Sequence, residues 1–443
     1  MSFQTGLSGL NASSKSLDVI GNNIANANTV GMKSSRAEFA DLVASQLGTG
    51  GGAGAGIGVA VATVAQQFTQ GNISSTGNSM DVAINGGGFF GITKTDGTPG
   101  YTRDGQFKLD KDGYILTNTG ANVMGFTTDI NGVANSAIPN VKLQVPAGAP
   151  IAASPTTTIT AGLNLDSTAV IASSVTPATP RATYGTSVTT FDSQGNELPL
   201  SLYFTRIDPN AGYGASTAPV ESPLGPTVPA TDQWAMYDSL TSTTPVGYIT
   251  FDSAGKLSNV YGPPATVPPA QNSEVLANKS AFALTVANPT HPTAGSITPS
   301  VDFSAVTQFG TDFSVTNLSQ NGYTSGEFTG LNIDPKGVIT TRYSNGQTLK
   351  TGGMIALADF RNLQGLEPIG NGEFVETFKS GSVVWGKPTI GRFGELRAGA
   401  VEESNVELTA ELVNMMTAQR NYQANAQTIK TQDQIMSTLV NLR

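Results

Sequence analysis

Glycines, aspartates, one histidine and an adjacent pair of glutamates are the residues of this chain whose types and spacing could do chemistry. Gly86, Gly88 and Gly91 satisfy G-x-G-x-x-G directly after an apparent strand, Asp81 to Ile84. In a dinucleotide site that loop opens a helix whose N-terminus meets the pyrophosphate. Here Ile92-Thr93-Lys94-Thr95-Asp96-Gly97 follows, which reads as a strand and a turn, so no phosphate cradle is expected. Asp110, Asp112 and Gly113 look like the start of a calcium loop. Its twelfth position, where an EF-hand needs a bidentate glutamate, is Ala121. His291, the single histidine, lies in Asn288-Pro289-Thr290-His291-Pro292-Thr293 and reads as a solvated loop side chain. Glu402 and Glu403 are neighbours, so on a helix they point in different directions, and near a helix start they complement its dipole. The chain has no cysteine, which removes disulfides and thiolate metal sites together. No catalytic residue, cofactor or metal ligand is expected.

The rest of the composition narrows the partners. Only 12% of the 443 residues are charged and the net charge is −9. A nucleic-acid binder needs basic clusters to displace counterions, so nucleic acid is not an expected partner. No run of 18 or more apolar residues is present, so no membrane insertion is expected. The opening Met-Ser-Phe-Gln-Thr lacks the basic and apolar regions of a cleaved secretory signal. That leaves a cytosolic protein, or one exported by a route needing no such signal.

The elements that would position any site are helices at the two ends and strands between them. Phe3, Leu7, Leu10, Ser14, Leu17, Gly21 and Ile24 recur at alternating spacings of four and three, one apolar seam along a helix. Toward the C-terminus Val401, Leu408, Met415, Tyr422, Ile429 and Met436 recur at sevens, with Leu412, Ala426 and Val440 at companion positions. Ser404 and Glu407 have the spacing of a capping box, so that helix is expected to start at Ser404 and run on the order of 60 Å. A helix of that length cannot bury its stripe against itself. The other terminus is its nearest partner, and a neighbouring subunit the next.

Between the helices, Gly48 to Gly58 holds seven glycines in eleven residues and reads as a flexible loop. From Val59 to Arg397 the signals are those of strands and turns. An Asp followed three residues later by Gly recurs at Asp110, Asp129, Asp192, Asp252 and Asp334, the pattern of a type I turn closed by a left-handed glycine. Nineteen of the 24 prolines lie between Pro146 and Pro299, which suggests a β domain inserted into another. The expected division is 1–24 with 404–443 as a terminal-helix core and 25–70 with 398–403 as a connecting segment. Residues 71–145 with 306–397 form an outer β domain, and 146–305 a Pro/Thr-rich insertion. The fold class is mainly β with α-helical termini. Asn22, Asn23, Asn26 and Asn28, followed by Gly31, admit two readings. They are either one elaborate helix end, or a polar joint that re-aims the chain.

Leu17-Asp18-Val19-Ile20 with that asparagine cluster closely resembles the N-terminal signature of the bacterial flagellar rod and hook proteins. Similar to the family's later blocks are Gly77 to Phe90, Tyr101 to Phe107 with Asp112-Gly113-Tyr114, Ser404 to Leu408 and Gln419 to Ala426. The resemblance covers both ends and the outer β domain, and leaves the insertion unmatched. Chain length and a large insertion favour the hook members over the shorter rod members, with a distal rod protein as the alternative. An adhesive or carbohydrate-binding surface β protein is the competing class, and it has little need of paired terminal heptads. The resemblance implies a self-assembling helical tube with the termini as an inner coiled coil. Phe3, Leu7, Leu10, Leu17 and Ile24 would then meet Leu408, Leu412, Met415, Tyr422, Ile429 and Met436, within a subunit and between neighbours. It further implies export through the flagellar type III apparatus and residence in the extracellular flagellum. Hook cap, distal rod and hook–filament junction proteins would be the partners beyond the chain itself.

Overall fold

The computed structural model describes residues 2–43, 56–135, 138–139, 141–146, 148, 150–172, 181–207, 232–262, 280–287 and 295–441. His291 and residues 48–55 lie outside them. Two long helices stand at the ends, α1 (Ser2–Ala25) and α2 (Leu408–Asn441), and between them lie β-strands. The described chain divides into two compact units. One holds Met1–Ala149, Phe328–Tyr343 and Thr348–Arg443, the other Pro150–Glu327 with Ser344–Gln347.

In the first unit α1 runs antiparallel to α2. A Cβ built on Gly6 would touch Ile429, one on Gly9 would touch Asn425, and Asn425 Nδ2 lies 3.4 Å from Ser13 Oγ. After α1 the chain forms a hairpin of β1 (Ser35–Val43) and β2 (Gly56–Gln66). The end of the glycine-rich segment, Gly56 to Gly58, is therefore strand. The hairpin lies along α1, with the Val59 N–H donating to Ser8 Oγ. Beyond it an 11-stranded sheet with short accessory ribbons encloses the unit's core. Val82, Ile84, Phe90, Phe107, Val123, Ile339 and Leu357 form its centre, and Phe89, Tyr101, Phe360 and Phe374 pack edge to face beside it. The segment after Gly88 is the strand Phe89–Thr93, so the G-x-G-x-x-G loop opens a strand and not a helix.

The second unit is a sandwich. A five-stranded antiparallel meander comprises Gly185–Phe191, Glu197–Ile207, Gln233–Tyr237, Gly247–Phe251 and Leu257–Tyr261. Strict alternation along Glu197–Ile207 sends Leu198, Leu200, Leu202 and Phe204 into the core. Opposite stands Thr158–Asp166, which pairs parallel with Ser300–Asp302 and Thr307–Phe309 and antiparallel with Ser314–Gln320. Its Ile159, Leu163 and Leu165 meet Trp234, Ile249 and Phe251 across the core.

All five Asp-x-x-Gly segments are the turns expected of them. In each, the Asp N–H donates to the carbonyl four residues on and the Gly N–H donates to the Asp carbonyl. The five glycines have φ between 73° and 83°, the region a side chain resists. The aspartate carboxylates accept backbone N–H groups inside the turns, as Asp129 does from Asn131 and Val133. Asp110 and Gly113 fit that turn, with the Asp110 carboxylate accepting the Lys111 N–H.

Candidate functional site: the paired termini and their joint

The helix α1 is a weak helix former by composition, with Gly6, Gly9 and Gly21 among its residues, and it depends on packing for its order. The side it buries is the small one: Gly6 and Ala12, then Val19, Ile20 and Asn23 are buried, with Gly9, Ser13 and Ser16 half-buried. On that side small residues let the two helix backbones approach. The heptad seam lies elsewhere. Leu7 is exposed and Leu10, Leu17 and Ile24 are half-buried, while the Phe3 side chain lies outside the described residues.

On α2, Met415 and Ile429 are half-buried, and Ala418 is the one buried apolar residue of that helix among those described. Leu408, Leu412 and Met436 are 48%, 45% and 54% exposed, and Tyr422 is exposed too. Val413, Met416 and Ile435 join them at the surface. The structure thus brings Ile429 to α1 at Gly6, and leaves most of the predicted seam facing outward in one subunit.

The start of α2 differs from the expectation. The Glu407 carbonyl accepts the Glu411 N–H at 3.0 Å, so the helix begins at Leu408 and its 34 residues span about 51 Å at ~1.5 Å each. Ser404 Oγ accepts from Val406 N–H at 3.3 Å, a local turn and not a capping box. The cause is Asn405, whose Oδ1 accepts the Ser34 N–H at 2.7 Å while Nδ2 donates to the Gln67 carbonyl at 2.7 Å. That residue is committed to holding other segments and cannot join a helix.

Asn23 does the same from the other terminus. Its Nδ2 donates to the Ser35 carbonyl at 2.8 Å and its Oδ1 accepts the Ser35 N–H at 2.9 Å, as a paired strand would. Ser34 and Ser35, at the entry to β1, are therefore gripped from both ends of the chain. Asn22 and Asn26 terminate α1, with Asn26 Nδ2 donating to the Asn22 carbonyl at 2.9 Å and Asn26 Oδ1 accepting from the Thr29 hydroxyl. Asn28 is exposed. Gly31 turns the chain at φ 71°, donates to the Glu402 carbonyl at 2.8 Å, and sits where a Cβ would fall 2.5 Å from the Asp104 nitrogen.

Below this joint lies a buried ionic cluster. Glu402, placed by the strand Ala400–Glu402 and not by a helix start, is fully enclosed. One carboxylate oxygen accepts Lys33 Nζ at 2.5 Å and the Gly71 N–H at 2.9 Å, and the other accepts Arg103 Nη1 at 2.9 Å. Lys33 Nζ also donates to the Thr69 carbonyl and Arg103 Nη2 to the Gly86 carbonyl, with the Arg103 guanidinium 5.3 Å from the Phe89 ring centre. Burial pulls the Lys33 ammonium below its usual pKa and Arg103 likewise, against the opposing attraction of Glu402. One carboxylate thus ties the segment after α1, the segment before α2 and the β domain at a single point. Sequence reading missed Lys33, Arg103, Glu402 and Asn405 as a group, because partners 369 residues apart leave no periodic trace. Among the described residues no cluster of three or more His, Cys, Asp or Glu is placed to hold a metal ion, and no helix is long and apolar enough to cross a membrane.

Comparison with known proteins bears on the same parts. Residues 3–33 match the family described as flagella basal body rod protein, and 397–442 the flagellar basal body rod FlgEFG protein C-terminal family. Residues 83–162 match the flagellar hook protein FlgE/F/G D1 domain, and 164–323 the flagellar basal body protein FlaE D2 domain. The flagellar hook protein FlgE of Salmonella typhimurium LT2 is 37% identical over 463 aligned residues, covering all of both chains. That of Escherichia coli K12 is 37% identical with the same coverage, and that of Borreliella burgdorferi 32% identical over all of this chain and 99% of its own. The crystal structure of Helicobacter pylori flagellar hook protein FlgE2 shares the fold at a TM-score of 0.51 and 16% identity, over 74% of this chain and 100% of that one.

Proposed function

The chain belongs to the flagellar hook protein family, and on that premise we propose that it polymerises into a flexible helical tube that carries torque from the motor and rod to the filament. It is a structural subunit of the flagellar hook and basal body, like the relatives it matches from end to end. The match over the whole length, insertion included, favours the hook reading over a distal rod protein. In this reading residues 1–24 with 404–443 form the coiled-coil core of the tube, and 25–70 with 398–403 connect it outward. The nested outer layers are the β parts of the two compact units. The expected division into 71–145 with 306–397 and an inserted 146–305 shifts at its return, which falls at Phe328 and not at 306, because Thr307–Phe309 and Ser314–Gln320 pair with Thr158–Asp166. The tube's channel passes exported subunits, and the chain works without enzymatic activity. Its partners are copies of itself, then the hook cap, distal rod, junction proteins and export apparatus.

The observation that carries this reading is the unfinished surface of α2. Leu408, Leu412, Val413, Met416, Ile435 and Met436 remain exposed after α1 has packed. A monomeric protein seldom leaves so many large apolar side chains of one helix in water, and further copies would cover them. The asparagine clamps and the Glu402 cluster support the second half of the reading. Torque must pass between helices and β domain at a joint that holds.

Electron microscopy of the full-length chain beside one lacking residues 1–24 and 404–443 tests the reading. Tubes from the full-length chain alone are expected. Tubes from the truncated chain would sink the terminal-core scheme and shift assembly to the β domains.

A further inference from the structure

A cavity of about 460 Å³ lies between α1, α2 and the entry to β1. Its walls are largely polar, with Ser16 from α1, Ser35 and Arg36 from β1, and Glu411, Asn414 and Asn421 from α2. One of these groups is unfinished. Glu411 Oε2 is shut off from solvent and has no hydrogen-bond partner. A carboxylate oxygen withdrawn from water in this way is costly, and it calls for a donor. An acid in the first turn of α2 does complement the helix dipole, but that field puts no hydrogen bond on Oε2. Arg36 is the cavity's own cation. Its Nη2 donates to Glu38 at 2.7 Å, and its side chain stands 67% exposed.

The cation that fits sits on the far side of the same helix. Arg420 is the one arginine of α1 and α2, it is exposed, and among the described residues it makes no salt bridge. A guanidinium can donate to a carboxylate and to amide oxygens at once, which Glu411, Asn414 and Asn421 together offer. Glu411 and Arg420 are nine residues apart. At ~100° and ~1.5 Å per residue they lie about 180° apart around α2 and about 14 Å apart along it. Glu411 shares its side with the buried Ala418 and with Ile429, which meets α1 at Gly6. Arg420 shares the other side with the exposed Val413 and Met416.

The two charges therefore cannot meet within one chain. A helix with a cation on one side and its acceptor on the other fits a second copy of itself, and that copy fits a third. Such a head-to-tail contact is not satisfied in a closed pair, so it propagates.

We propose that this cavity is a docking site for a second copy of the chain, whose Arg420 enters it and pairs with Glu411. Entry of Arg420 carries Val413 and Met416 of the incoming helix out of water with it. The inference rests on the tube reading and deepens it, by naming one contact that makes the array open-ended.

Charge exchange tests it. Arg420→Glu alone and Glu411→Arg alone should each raise the protein concentration needed for tubes at least about tenfold, with circular dichroism unchanged, because a desolvated charge loses its partner. Glu411→Arg together with Arg420→Glu should return that concentration to within about threefold of the wild type. Arg36→Gln should leave it unchanged. Wild-type tubes with no recovery in the exchanged variant overturn the pairing and leave the tube reading standing. A loss with Arg36→Gln as large as that with Arg420→Glu overturns it too, and gives Glu411 a partner in its own chain.

The chain has no cysteine, so a second measurement can be made without sight of tubes. Chains carrying Glu411→Cys and chains carrying Arg420→Cys, mixed at high concentration under a mild oxidant, should give the mixed disulfide dimer at least about tenfold over either like dimer. A chain carrying both changes should give a ladder of polymers, because cysteines whose Cα atoms are more than about 7 Å apart cannot bond within one copy. Should the wild type form no tubes, the tube reading fails by itself and this mixing decides the pairing alone. Equal yields of mixed and like dimers overturn the proposal in either case.

Discussion

Leu202 and Leu412 are the same side chain in two settings. The first is 1% exposed in the meander of the second unit, the second 45% exposed on α2. The β regions complete their cores within one chain, with Phe90, Phe126, Phe204 and Trp234 shut off from water. The terminal helices do not, because their mutual contact runs through glycine, alanine and serine and buries little apolar area. One region is a finished fold; the other, on the reading proposed above, is half of an interface. A tube needs both, since a finished β layer keeps its shape while an unfinished core supplies the drive to associate.

Charging the stripe should break this contrast most severely. Leu412→Asp with Met416→Asp places two carboxylates where neighbours would bury methyl groups, and should abolish tubes in electron micrographs. The melting of the β units should stay unchanged, because Leu412 and Met416 stand about half exposed on α2 and belong to no β core cluster. Phe204→Ala is the mirror experiment. It should cost about 3–5 kcal/mol in denaturant unfolding of the second unit, while chains kept below that transition still assemble. Tubes from the doubly charged chain would show the stripe to be idle surface.

The joint between the regions should respond next. Glu402→Gln leaves Lys33 and Arg103 buried without their counter-charge, so a loss of about 3–5 kcal/mol is expected in chemical denaturation. Adding Lys33→Met should recover part of that loss by removing one of the two stranded cations. A variant as stable as wild type would mean that water reaches the cluster, and that the asparagine clamps alone hold the joint.

Two glycines sharpen the comparison at smaller scale. Gly31→Ala meets both a positive φ and the Asp104 backbone, and should cost about 1–2 kcal/mol for the backbone conformation alone. Gly21 has open space around its Cβ position in the single chain. Gly21→Ala should therefore stabilise α1 by about 0.5–1 kcal/mol in the monomer, read as a gain in helical circular dichroism. If the same change prevents tubes, the empty space beside Gly21 belongs to a neighbour.

How much of this was legible in the sequence follows the same division. The Asp-x-x-Gly turns were readable because each is local, a carboxylate and a glycine three residues apart acting on their own backbone. The helices were readable from their repeats, yet the face that packs within the chain was not. Heptad apolarity marks a surface to be buried without saying by which partner, and Gly6, Gly9 and Ala12 carry no apolar signal at all. The strand signals begin at Val59, inside β2, but its partner β1 escaped notice because alanine, glutamate and aspartate, poor strand formers, run through it. Glu402 was mistaken for a helix-start acid, since its partners Lys33 and Arg103 are neighbours only after folding. Asn405 was hidden by a plausible capping box on either side of it.

Asp104 offers the finest probe, because it borders the joint itself. Its backbone nitrogen lies against Gly31 and its carboxylate accepts the Gln106 N–H at 3.0 Å. Among the described residues it pairs with no cation. Desolvation holds its carboxyl above the ordinary 3.8, against the Gln106 hydrogen bond and with a smaller push from Asp81. A raised folded pKa means that the folded state keeps the proton longer than the unfolded one. The charged carboxylate therefore costs stability at neutral pH, and the cost fades as pH falls through the folded value. Asp104→Asn keeps an acceptor for Gln106 without the charge. Its melting temperature should exceed that of wild type at pH 7, and the two curves should converge as pH approaches 3.8. A difference that persists at low pH would trace the effect to packing at Gly31. A wild type that is the more stable at pH 7 would show that the joint uses this charge, which assembly could supply with a cation from a neighbouring subunit.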